Sequence, residues 1–101
     1  VKFIVIHTDA RKELDAAIGY YESQQVGLGL DLLSEVENIL LKIQQNPNLG
    51  NPHKIEGIRR YVNQRFPYQI FYTELEEVIW IIGIAHSRRK PNYWKQRNIE
   101  S

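Results

Sequence analysis

The chain has no cysteine and no methionine among its 101 residues. Without cysteine, disulfides, thiol nucleophiles and cysteine-based zinc sites are excluded. Histidine is scarce as well, and His7, His53 and His86 have no ligand-like spacing among themselves or with acids, so no metal site is expected. No cofactor motif is present. The Gly-x-Gly at Gly27 to Gly29 lies between two helical patterns, whereas a phosphate cradle follows a strand. Long apolar runs are missing: the longest, Val78 to Ala85, is far too short to cross a bilayer. No basic-then-apolar leader precedes the first element, so a cytoplasmic protein with no membrane partner is expected. What is present, 43% hydrophobic and 25% charged residues, suits one packed domain over residues 1–101 and argues against bulk disorder.

The formal net charge of +1 conceals an asymmetry. Residues 1–53 carry four Lys/Arg and seven acids, whereas residues 54–101 carry nine Lys/Arg and five acids. Positive charge gathered in one half attracts phosphate or an acidic protein segment. A solvated surface of mixed sign would have the same composition.

Taken in order, Lys2 to His7 is a β-branched run and reads as a first strand. Thr8 and Asp9 offer helix N-caps. Ala10, Leu14, Ala17, Ile18 and Tyr21 then recur at helical spacing. Val26-Gly27-Leu28-Gly29 interrupts the pattern as a loop, and Leu32, Leu33, Val36, Ile39, Leu40 and Ile43 form a second helical stripe that stops before Pro47. Neither helix is long enough to stand alone, so both stripes are expected to dock on a sheet. A loop dense in Pro, Gly and Asn follows over 46–57 and holds His53, a residue more often merely solvated than functional. Three strand-like runs come next. Ile58 to Phe66 has Ile58, Val62 and Phe66 on one face and Arg59, Tyr61, Asn63 and Arg65 on the other. Tyr68 to Thr73 sets Tyr68, Ile70 and Tyr72 against Gln69 and Phe71. Val78 to Ala85 is apolar on both faces, as a central strand would be. It runs straight into His-Ser-Arg-Arg-Lys-Pro-Asn-Tyr-Trp-Lys-Gln-Arg, a tail with Arg88, Arg89, Lys90, Lys95 and Arg97 and no acid.

Several stretches together resemble the RelE/ParE toxin superfamily of bacterial type II toxin–antitoxin systems, most of all its ParE-like, "plasmid stabilisation" branch. They are Ala-x-x-Glu-Leu at Ala10 to Leu14, Tyr20-Tyr21-Glu22, the Gly-Leu-Gly loop, Asn46-Pro47, Ile58-Arg59-Arg60, Phe66-Pro67-Tyr68-x-Ile70-x-Tyr72, Ala85-His86-x-Arg88-Arg89 and Pro91-x-Tyr93-Trp94. The resemblance implies an α+β fold, β-α-α-β-β-β with an optional C-terminal helix, in which a helical hairpin packs on a small, mostly antiparallel sheet. It also implies a cognate antitoxin as partner, and one of two activities: poisoning of DNA gyrase, or cleavage of messenger RNA within the ribosome.

The two activities demand different chemistry. Cleaving RNA through its own 2′-hydroxyl needs a base, cations around the phosphorane and an acid for the leaving oxygen. The ribonuclease members use lysines on the first strand of the meander, an arginine on the next, another arginine after the last strand and a C-terminal tyrosine. The resemblance puts Gln69 where the second strand's arginine would stand. Gln cannot neutralise a phosphate, and losing such a group costs about 2.7–4 kcal/mol of barrier. Arg59, Arg65, Arg88 and Tyr93, with His86 or His53 as base, are the catalytic candidates on that reading. A gyrase poison needs only a gripping surface, and Arg88, Arg89, Lys90, Tyr93 and Trp94 are of the types that dominate binding hot spots. Each has a plainer alternative. Tyr93 and Trp94 would pack the C-terminus onto the sheet, the arginines would be a solvated edge or the seat of an acidic antitoxin, and His86 would orient a neighbour. The expectation is a ParE-type toxin acting on gyrase through its basic C-terminal surface. A ribosome-dependent ribonuclease and a non-toxic, antitoxin-binding homologue are the alternatives.

Overall fold

The computed structural model describes residues 2–89 and 93–97. Its elements are β1 (Phe3–Ile6), α1 (Thr8–Gln24), α2 (Leu28–Gln45), β2 (Asn51–Pro52), β3 (Ile58–Val62), β4 (Tyr68–Glu74) and β5 (Val78–His86). The strands form one sheet in the order β1-β5-β4-β3-β2, antiparallel except for the β1–β5 pair. This is the expected α+β arrangement with one strand more. The two-residue β2 lies inside the stretch expected to be all loop, where a Pro-containing dipeptide gives no strand signal and is tolerated only at an edge. As its sequence pattern indicates, β5 is an interior strand, between β1 and β4, and it is apolar on both faces because the helices cover one face and the C-terminal segment the other.

The helical stripes do what their spacing requires. Ala10, Leu14 and Ala17 of α1 and Leu32, Val36, Ile39, Leu40 and Ile43 of α2 are buried against Ile70, Tyr72, Ile79, Ile81 and Ile84 of the sheet. Each large aliphatic side chain removed from water contributes about 1.5–3 kcal/mol, so this layer is the main source of stability. The ends of the helices differ from expectation. The cap of α1 is His7, whose Nδ1 accepts from the Asp9 amide at 3.1 Å, and Thr8 and Asp9 are already helical. Gly29, expected in the loop, is inside α2. A Cβ there would sit 2.5 Å from the Ile18 carbonyl, so the close approach of the helices requires glycine. The Glu22 carboxylate crosses the turn and accepts from the amides of Gly27 (2.9 Å) and Gly29 (3.0 Å), groups that the start of a helix otherwise leaves unpaired.

β3 stops at Val62, shorter than the alternation over Ile58 to Phe66 indicated. The turn then swings Phe66 away from Ile58's face and into the main core, 5.1 Å from the Tyr21 ring, while Val62 stays exposed. β4 follows its pattern: Tyr68, Ile70 and Tyr72 face the helices and Phe71 faces the opposite layer. Between β4 and β5 the register slips. Phe71 faces Gly83 but Tyr72 faces Ile81, so Ile82 is an extra residue on β5. The bulge sends Ile82 to the second face, where it packs with Ile58, Phe71 and Trp94.

Candidate functional site

β5 outruns β1. The β1–β5 pairing ends at Ile6 and Ile81, extended by the His7 amide donating to the Ile81 carbonyl at 3.0 Å. Among the described residues, the stretch from Ile82 to His86 therefore has β4 on one side and no strand on the other. Two side chains satisfy that open edge. The Ile84 amide donates to Glu13 Oε1 at 3.1 Å, and the Ile82 carbonyl accepts from Arg97 Nη1 at 2.7 Å. The same two side chains form a bidentate pair, Nη1 to Oε1 and Nη2 to Oε2, both at 2.9 Å. The Tyr93 hydroxyl donates to Oε1 at 3.0 Å, and Asp9 lies 3.8 Å from Arg97 Nε. Burial, with the charge and hydrogen bond of Glu13, pushes the Tyr93 phenol well above its ordinary value. The hydrogen bond to Glu13 raises Arg97 likewise.

Past His86 the chain turns sharply. The Ser87 amide donates to the Pro67 carbonyl (2.7 Å), the Arg88 amide to His86 Nδ1 (3.1 Å) and the Arg89 amide to the His86 carbonyl (2.9 Å). His86, Arg88 and Arg89 are exposed at this end of the sheet. The Arg89 guanidinium carbon stands 4.4 Å from the centroid of the Tyr93 ring, and that of Arg97 stands 4.9 Å from it. Gly83 makes this possible, since a Cβ there would lie 2.6 Å from the Tyr93 hydroxyl and 3.3 Å from Trp94 Cδ1. Trp94 is 4% exposed and fills the second face against Phe71, Ile58 and Ile82, with the His53 ring edge-on at 5.6 Å. Lys90, expected in the same cluster, lies outside the described residues. A groove of about 260 Å³ runs beside the open strand edge, between Ala16, Ala17 and Tyr20 of α1 and Tyr68, His86 and Arg89.

Arg59 and Arg65 are held by partners outside this cluster. Arg59 Nη1 donates to the carbonyls of Gly50 (2.7 Å) and Asn48 (3.4 Å), tying down the loop before β2. Arg65 pairs with Asp31 at 3.1 Å and Glu35 at 3.9 Å and lies over the Phe66 ring. Gln69 is buried opposite Val62 and Ala85. The His53 Nδ1 accepts from the Ile55 amide at 3.2 Å, and burial, with the charges of Arg60 and Lys54, pulls its pKa below the ordinary histidine value. His86 Nδ1 is likewise occupied, and its ring meets Tyr68 at 5.6 Å. Among the described residues no group of acids and histidines is placed to hold a metal ion, and no helix is long and apolar enough to cross a membrane.

The sequence marks Glu13 only as part of a family stretch, with no role, and places Arg97 in the cationic tail. Glu13 is 17% and Arg97 13% exposed at the side chain, so both are turned inward. One signal was available. Glu13 lies three residues after Ala10 and four before Ala17, which sets an acid on the flank of a buried helical stripe.

Residues 4–91 match the family model described as the ParE toxin of the type II toxin–antitoxin system parDE. A solved structure from the chromosomal ParDE system of P. aeruginosa superposes with a TM-score of 0.73 at 21% identity, covering 84% of this chain and 95% of that one. The isolated E. coli RelE toxin superposes with a TM-score of 0.67 at 14% identity, covering 94% of each chain. A double arginine mutant of E. coli RelE in complex with an antitoxin RelBc peptide gives 0.62 at 12% identity, covering 97% of this chain and 98% of that one. At these identities the structural likenesses show a shared fold. A search of the curated proteins gives no match.

Proposed function

The chain belongs to the ParE toxin family of type II toxin–antitoxin systems, and from that premise we propose that it arrests growth by binding and poisoning DNA gyrase with the end of β5. The observation that carries this reading is the arrangement of the arginines. Arg88 and Arg89 are exposed at one end of the sheet, with Arg89 backed by the Tyr93 ring. Of the ribonuclease set, Arg59 is engaged on loop carbonyls, Arg65 on Asp31 and Glu35, and the Tyr93 hydroxyl on Glu13, while His86 stands beside Arg88 with its Nδ1 occupied by the Arg88 amide. A phosphate-cleaving site needs its cations to converge on one phosphorane and needs a free proton donor. A tyrosine whose pKa is raised this far is a poor one. A gripping surface needs only presented guanidinium and aromatic groups, which suit both a protein and a DNA backbone. The test is supercoiling and relaxation by purified gyrase with added toxin. Inhibition with trapped cleavage complexes is expected. Full activity without trapped complexes, together with messages cut within codons after induction, would replace this reading with the ribonuclease.

The cognate antitoxin binds elsewhere on this proposal. β1 is an edge strand, and a groove of about 630 Å³ beside it is lined by apolar Phe3, Ile4, Leu40 and Leu41 and by polar Ser34, Glu37, Asn38 and Gln44, with Phe3 and Leu41 more than half exposed. An open strand edge beside exposed apolar side chains suits an amphipathic segment of a partner. Phe3→Asp with Leu41→Asp is expected to weaken antitoxin binding at least about tenfold while growth arrest is retained. Pull-down and co-expression rescue measure the two effects.

A further inference from the structure

The Ala10-x-x-Glu13-Leu14 stretch has a consequence beyond helix packing. Leu14 and Ala10 are buried in the core, but Glu13 leaves the stripe sideways and meets four groups from distant parts of the chain. These are the Ile84 amide, the Tyr93 hydroxyl and both Nη atoms of Arg97. Each would be poorly satisfied without it. Among the described residues Ile84 has no strand on that side, Tyr93 would lose the acceptor of its half-buried hydroxyl, and Arg97 would keep the Ile82 carbonyl at 2.7 Å and Asp9 at 3.8 Å but lose both carboxylate bonds. The ring that Glu13 fixes is also the ring on which the Arg89 guanidinium rests, 4.4 Å away.

We infer that Glu13 is a positioning residue for the arginine grip: its carboxylate pins Tyr93 and Arg97 to the open edge of β5, and the pinned Tyr93 ring sets where Arg89 is presented to the target. The inference rests on the target-binding reading of Arg89, but its structural half is measurable alone. Glu13 itself touches no target. A loosened Tyr93 frees Arg89 to sample many rotamers, and ordering a long side chain on binding then costs what the free toxin had already met.

The experiment uses the full chain and three variants. NMR of the Arg89 side chain reads its stacking, since a guanidinium over a ring has shifted Hδ and Hε resonances. Growth arrest and gyrase inhibition read potency. Wild type is expected to show the shifted Arg89 signals, and Tyr93→Phe, which keeps the ring but loses its bond to Glu13, is expected to show them diminished. Glu13→Gln and Tyr93→Leu are expected to lose them, and to lose potency by about tenfold or more. Tyr93→Leu leaves the Glu13–Arg97 pair in place, so it separates the platform from the general fold if Glu13→Gln unfolds. Unshifted Arg89 signals in wild type, shifted signals in Glu13→Gln, or full potency in Tyr93→Leu would each overturn the inference. If wild type arrests growth but leaves gyrase untouched, the gyrase reading falls while the positioning of Arg89 is judged on the signals and growth arrest.

Discussion

Two sets of arginines, one on the β3 side of the sheet and one past the end of β5, have opposite fates. On the β3 side, Arg59 and Arg65 each find an internal partner: loop carbonyls for the first, the acids at the start of α2 for the second. Past β5, Arg88 and Arg89 are exposed, and Glu13, which lines the same groove as Arg89, is bound to Arg97 and Tyr93. One residue type thus serves as a strut in one place and as a presented group in the other. What separates them is the neighbouring acid. Asp31 and Glu35 stand free to pair with Arg65, whereas Arg97 neutralises Glu13 before Arg89 can reach it.

The comparison breaks most severely at the floor of the β5 side. Trp94→Ala empties the second face between Phe71, Ile58 and Ile82, and a loss of about 3–5 kcal/mol is expected in urea unfolding. A loss under about 1 kcal/mol would mean that Trp94 is not part of the packed layer. Next is the grip itself. Arg88→Ala with Arg89→Ala is expected to restore growth on induction and raise the half-inhibitory concentration for gyrase by about thirtyfold or more, on the scale of hot-spot loss. Its melting temperature should stay near wild type, because neither side chain is buried.

The β3 side should respond in the reverse sense. Arg65→Ala removes a pair whose arginine is 56% exposed, so stability is expected to fall by no more than about 1 kcal/mol, with growth arrest intact. Loss of toxicity there would erase the distinction between the two sets and revive Arg65 as part of a catalytic group. The smallest effect concerns His53. Its pKa is lowered in the folded state, mainly by burial, so the unfolded chain binds the proton more readily. Its contribution is full above the unfolded value of about 6.5 and is lost as the pH falls through the lower folded value. The melting temperature of His53→Gln should therefore decline less than that of wild type as the pH is lowered through this range.

Much of the layer structure was readable because it depends on short periods. Leu14 and Ala17, or Tyr68, Ile70 and Tyr72, announce their face by spacing alone, and each packs where the spacing put it. The reading weakened where one residue changes the period. The bulge at Ile82 was invisible because an all-apolar strand carries no alternation to interrupt. Phe66 changed faces because the strand before it ended early, and a polar turn reads much like a polar strand face. At the candidate site, Arg88, Arg89, Tyr93 and Trp94 stood out by composition, but composition could not say that Trp94 is buried and Arg89 exposed.

The residues alone determined the kind of protein: a helical hairpin over a meander, the family motifs and a cationic tail after an apolar strand. These follow from local rules, in which each side chain's direction is set by its own helix or strand. Only the tertiary structure decided which arginines are tied to internal partners and which are presented. That choice turns on Glu13 meeting Arg97 across 84 residues of sequence at a strand edge left open by the shortness of β1. No local period encodes such a meeting, because it exists only once the helix, the strand and the C-terminal segment have been brought together in space.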